Sequence, residues 1–137
     1  MSVVSELIRT EADGTISFGD YTLGAKAKLD NFQHADAVYK VKTFREITRL
    51  EKNGMFAYES VPGTAVTHLS RDADEVHFLV EGPEDAKVTL GLEDETTYEV
   101  QIAGKSVDTL TTKLGGKLTI SVELNNEPVE VVVRKVS

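Results

Sequence analysis

The 137-residue chain contains no cysteine, no tryptophan, only three prolines, and no apolar run that approaches the ~20 residues of a membrane-spanning helix. Without cysteine there is no disulfide framework, no thiolate metal centre and no cysteine nucleophile. Without tryptophan the largest stacking platform for a sugar ring is missing. The opening MSVVSELIRT reaches Glu6 and Arg9 before an apolar run of signal-peptide length accumulates, so the expected compartment is the cytoplasm.

Positive charge is also scarce. The chain is acidic, with a formal net charge of −8. Residues 1–70 carry 8 basic and 9 acidic side chains and residues 71–137 carry 7 and 14, so the halves are −1 and −7. A nucleic-acid footprint needs a concentrated basic face that releases counterions, and this balance argues against one. One local exception stands out. Between Lys40 and Lys52, five cations (Lys40, Lys42, Arg45, Arg49 and Lys52) face only Glu46 and Glu51, a net +3. Such a segment serves as a solvated face or as the complement of an acidic partner surface, including the acidic half of a second copy.

What the chain has in abundance is alternation. In TYEVQIAG, Tyr98, Val100 and Ile102 alternate with polar residues, and in KLTISVEL, Leu118, Ile120, Val122 and Leu124 do the same. EVHFLVE, AKVTLGL and PVEVVVR repeat the pattern around turn-forming glycines, asparagines and prolines. Residues 75–134 therefore predict six successive strands in a regular run, preceded by an irregular β-rich stretch over 1–74. The whole of 1–137 reads as one all-β domain, an antiparallel β-sandwich or jelly-roll-like fold.

Two stretches admit other readings. Gly104, Lys105 and Ser106 spell the end of a phosphate-binding loop, but the first glycine of that motif would fall at Glu99, and the following SVDTLTTKL has no helical stripe. Turns between strands account for these residues, and no nucleotide or other cofactor is expected. The segment TFREITRLEKNGMFAYES is ambiguous. Thr43 and Glu46 fit a capping box, and Phe44, Ile47 and Leu50 recur every three residues, which suggests one short helix near 44–52. Asn53 and Gly54 instead signal a two-residue hairpin, the preferred reading, which would set Arg49 opposite Tyr58 and Leu50 opposite Ala57.

Candidate chemistry is sparse. If the strands flanking RDAD pair Leu69 with Val76, His68 and His77 face each other at a spacing that a metal can bridge, whereas a slip of one residue separates them. Acidic residues bunch in predicted turns (Asp72, Asp74 and Glu75; Glu84 and Asp85; Glu93, Asp94 and Glu95), none with the spacing of a calcium loop. No Gly-x-Ser-x-Gly elbow is present, so no catalytic residue is assigned. The hairpin reading puts Phe56 and Tyr58 on one face, and with Lys40, Lys42, Arg45, Arg49 and Lys52 they form the candidate interaction surface.

The runs ELIRTEADGTISFGDYTL and YKVKTFREITRLEKNGMFAYESVPGTAV resemble a family of short uncharacterised proteins from anaerobic Gram-positive bacteria, some labelled "endosialidase". Sialidases display Asp-box turns ending in Thr-Trp and an arginine triad in a propeller of several hundred residues. This chain has no tryptophan, five arginines and far less length, so the resemblance brings no sialidase residues with it. The rhythm from Tyr98 to Val133 is also similar to small β-sandwich modules appended to glycan-degrading enzymes. The expectation is a noncatalytic binding or assembly module that recognises a protein partner or itself, with no nucleic acid and no membrane involved. The alternative is a small-ligand or carbohydrate-related binder or enzyme with a pocket around His68 and His77.

Overall fold

A computed structural model describes residues 3–136, which form thirteen strands and no helix. One sheet holds seven of them, in the order β1 (Ile8–Thr10), β2 (Ile16–Phe18), β7 (Ala65–Arg71), β8 (Glu75–Glu81), β13 (Val129–Lys135), β10 (Thr97–Ile102) and β11 (Lys105–Thr111). The other holds six, in the order β12 (Lys117–Val122), β9 (Ala86–Gly91), β6 (Met55–Val61), β5 (Ile47–Lys52), β4 (Ala37–Phe44) and β3 (Ala27–His34). Every neighbouring pair is antiparallel. The two sheets stack as a sandwich, and neither closes into a barrel.

The physical cause is the period of two. In β12, Leu118, Ile120 and Val122 are buried while Lys117, Thr119 and Ser121 are exposed; in β4, Ala37, Tyr39, Val41 and Thr43 turn inward. Each sheet thus has one greasy face, and stacking hides both. Three rings fasten the layers. Tyr58 of the six-stranded sheet meets Phe18 and Phe78 of the seven-stranded sheet edge-on, at centroid distances of 5.2 and 5.8 Å. A buried phenol needs a partner. Tyr58 finds Thr64 at 2.8 Å, which also meets the Ser60 hydroxyl at 2.8 Å. The Thr48 hydroxyl extends this hydroxyl string by donating to the Thr64 carbonyl at 2.7 Å. Burial pushes the Tyr58 phenol up to about 12.

The predicted run over 75–134 is present as six strands, β8 to β13. The stretch that suggested a phosphate loop is a hairpin. Ala103 (φ 55°) and Gly104 (φ 81°) make the two-residue turn from β10 to β11, both in the left-handed region that such a turn requires. Ser106 therefore sits in a strand, with no helix N-terminus to hold an anion.

Two expectations need correction. The suggested short helix over 44–52 is strand: β5 turns Thr48 and Leu50 inward and Ile47, Arg49 and Glu51 outward. Thr43, the supposed cap, is spent in the core, where its hydroxyl accepts the Asp20 amide at 2.9 Å and meets Thr48 at 2.8 Å. The hairpin at Asn53 and Gly54 forms, but its register differs. Leu50 pairs with Tyr58 and Arg49 with Glu59, because a bulge between Leu50 and Glu51 leaves Ala57 as an extra residue. The bulge also breaks the expected sharing of a face by Phe56 and Tyr58. Tyr58 enters the core, while Phe56 stays half-buried beneath the Arg49 and Lys117 side chains.

Candidate functional site

The outer face of the six-stranded sheet gathers positive charge. Antiparallel register sets Lys28 of β3 opposite Lys42 of β4, and Lys42 opposite Arg49 of β5, a continuous row of three cations across three strands. Lys40, two residues along β4, points to the same side and pairs in register with Glu51. Lys28, Lys40, Lys42, Arg49 and Glu51 line one concavity of about 190 Å3. Among the described residues, Lys28, Lys40 and Lys42 make no ion pair. Arg49 is held more loosely than its neighbours suggest, since both Glu51 and Glu59 stand 3.6 Å away and its Nε is buried without a hydrogen-bond acceptor. Like charges set side by side across strands cost stability, so this row is expensive to keep.

An aromatic patch adjoins the row. Phe56 lies under two cations, with Arg49 at 5.5 Å and Lys117 at 4.8 Å from its ring centroid. Both distances are within the range of favourable attraction to the ring face.

The residues expected to act together are therefore divided. Lys40, Lys42, Arg49 and Phe56 share the outer face. Arg45 sits in the turn between β4 and β5, where its carbonyl accepts the Gly63 amide at 3.0 Å. Lys52 lies at the far end of β5, beside Arg71 and Tyr39 at the edge of the inter-sheet space. Tyr58 belongs to the core. Lys28 lay outside the 40–52 segment; the turn at Ala35 and Asp36 by itself would set it opposite Thr43, and a bulge between Leu29 and Phe32 moves it opposite Lys42.

The histidines also part. The hairpin pairs Arg71 with Val76 and Ser70 with His77, a register that differs from the Leu69–Val76 pairing needed to face His68 with His77. A bulge between Thr67 and Ser70 puts His68 at φ 55°, with its amide on the Ser17 hydroxyl at 3.1 Å. His77 instead meets the Glu130 carboxylate of β13 at 2.8 Å. His34 contacts the Thr10 hydroxyl at 3.1 Å. Among the described residues no three His, Asp or Glu side chains group as metal ligands.

The acidic bunches secure loops. Asp72 accepts the Asp74 and Glu75 amides at 2.8 and 2.9 Å, Asp85 accepts the Leu124 amide at 3.0 Å, and Asp94 accepts the Gly115 amide at 3.1 Å. Asp72 caps its own turn, whereas Asp85 and Asp94 tie their loops to segments distant in the chain. Among the described residues no helix is long and apolar enough to cross a membrane. Comparison with protein-family models, with curated proteins and with solved structures yields no match for this chain.

Proposed function

We propose that the protein is a noncatalytic binding module that receives an acidic protein surface on the outer face of its six-stranded sheet. The observation that carries this reading is the cross-strand row Lys28, Lys42 and Arg49, joined by Lys40 around one concavity in a chain of net charge −8. A fold gains nothing from lining up cations that repel one another, whereas carboxylates arriving from a partner relieve the repulsion and steer the encounter. Phe56 supplies a flat apolar neighbour on which a partner side chain can rest. A row of three cations across three strands, with Lys40 beside it, is short for a nucleic-acid track, and the chain as a whole is acidic.

The experiment is a titration of isotope-labelled protein with a poly-glutamate peptide, followed by amide shifts. The expected result is a set of shifts confined to residues around Lys28, Lys40, Lys42 and Arg49. They should weaken as salt rises above about 0.1 M, where the screening length falls below ~10 Å, and vanish in a Lys28→Glu, Lys42→Glu variant. Shifts spread evenly over the molecule, or undiminished in that variant, overturn the proposal.

A further inference from the structure

A second concave site opens between the sheets at the end where Lys52 was found. Its inner part is an apolar slot of about 40 Å3 walled by Leu69 and Val76 of the seven-stranded sheet and by Leu50 and Leu90 of the six-stranded sheet. Its outer part is a polar vestibule of about 260 Å3, and the two share Lys52, Arg71, Val76 and Leu92. Arg71 is held in place, one guanidinium nitrogen donating to the Gly91 carbonyl at 2.8 Å. Its remaining donors and the Lys52 ammonium have no partner among the described residues. The Tyr39 hydroxyl borders the slot without a hydrogen bond to a described residue; burial raises its pKa and the Arg71 charge partly opposes that.

The vestibule carries both signs of charge. Four carboxylates line it, but Glu75 is taken by Arg134 at 2.8 Å and Glu93 by Lys135 at 2.9 Å. Asp72 and Asp74 make no ion pair with a described residue, and neither do Lys52 and Arg71. Two cations thus remain around the mouth of an apolar slot, together with the Asp74 carboxylate, which also acts on Lys135, and the Asp72 oxygen left over after Oδ1 accepts two backbone amides. A simple anion or cation would meet repulsion from one pair. A ligand with both charges and a short greasy stem satisfies every group.

We propose that this cleft binds a small aliphatic α-amino acid as its zwitterion, with the side chain in the slot, the carboxylate on Lys52 and Arg71, and the ammonium toward Asp72 and Asp74. The slot holds on the order of two or three carbon atoms, given that a single water needs about 10–15 Å3, so alanine and valine fit and phenylalanine does not.

The test uses labelled full-length protein titrated separately with L-valine, with isovalerate (valine lacking its ammonium), with isobutylamine (valine lacking its carboxylate) and with L-phenylalanine. Valine should shift the amides of Lys52, Arg71 and Ala73, and each of the other probes should bind at least about tenfold more weakly. Lys52→Met and Asp74→Asn, both at exposed positions, should each weaken valine by about tenfold with the spectrum otherwise preserved. Lys105→Gln, exposed at the end of the β10–β11 hairpin away from Tyr98, should leave valine binding unchanged. No shift at ~10 mM valine, equal binding of isovalerate, or unaltered affinity in both cleft variants overturns the proposal.

Discussion

Single residues show where the molecule has no slack. At Gly91, a Cβ would stand 2.2 Å from the Phe56 carbonyl oxygen of the adjacent strand, a backbone atom that cannot swing aside. Gly91→Ala is therefore expected to cost about 1–3 kcal/mol in denaturant unfolding, by forcing β6 and β9 apart. Glu11 accepts the hydroxyl of the fully buried Ser17, and the Arg9 Nε at 3.0 Å. The Ser17 bond, with help from Arg9, holds its carboxyl below the ordinary 4.5. A carboxylate with a depressed value stabilises the fold above the unfolded value and loses that contribution as pH falls through the folded one. Unfolding measured from neutral to acid pH should thus show a decline below about 4.5 that is shallower in Glu11→Gln. None of these partners was legible in the sequence. Glu11 and Ser17 meet because β1 and β2 fold back on each other, and nothing in their spacing announced a buried hydroxyl. The Asn53 and Gly54 turn was legible, because it depends only on a dipeptide whose φ values suit a hairpin.

At the level of strands, register decides function. The alternation of Val41, Leu50 and Tyr58 fixes which side of each strand is wet, and so places Lys42 and Arg49 outward together. One bulge at Ala57 then undoes the pattern locally, sending Phe56 out and Tyr58 in. Alternation cannot reveal such a bulge, because an extra residue is a property of the pairing and not of one strand. The histidine pair failed to meet because the turn after β7 pairs Arg71 with Val76, which sets Ser70 and not His68 opposite His77. The cationic row yields a prediction of opposite sign for stability and for binding. Lys42→Glu places a carboxylate between Lys28 and Arg49, and should stabilise the protein by about 0.2–1 kcal/mol at low salt while removing the response to poly-glutamate. Equal or lower stability in guanidinium-free thermal unfolding would show that the row carries no strain.

At the level of the whole molecule, the two halves of the chain are interleaved. The seven-stranded sheet takes β1, β2 and β7 from the first half and β8, β10, β11 and β13 from the second, and the six-stranded sheet sets β12 and β9 beside β6. Neither half owns a complete sheet, so urea unfolding followed by far-ultraviolet circular dichroism and by tyrosine fluorescence should give one coincident transition. Phe78→Ala, which deletes one of the three rings joining the sheets, should lower that transition by about 3–5 kcal/mol. The sequence alone determined that the chain is all-β and two-faced and that Asn53–Gly54 and Ala103–Gly104 are turns, because a period of two and a turn dipeptide are local properties of the backbone. Only the tertiary structure decided which strands become neighbours. From that followed the row of Lys28, Lys42 and Arg49, the separation of His68 from His77, and the meeting of Lys52 with Arg71 at the mouth of the cleft. Contacts between residues far apart in the chain depend on strand order and bulges, and these are chosen by how the two greasy faces pack best as a whole.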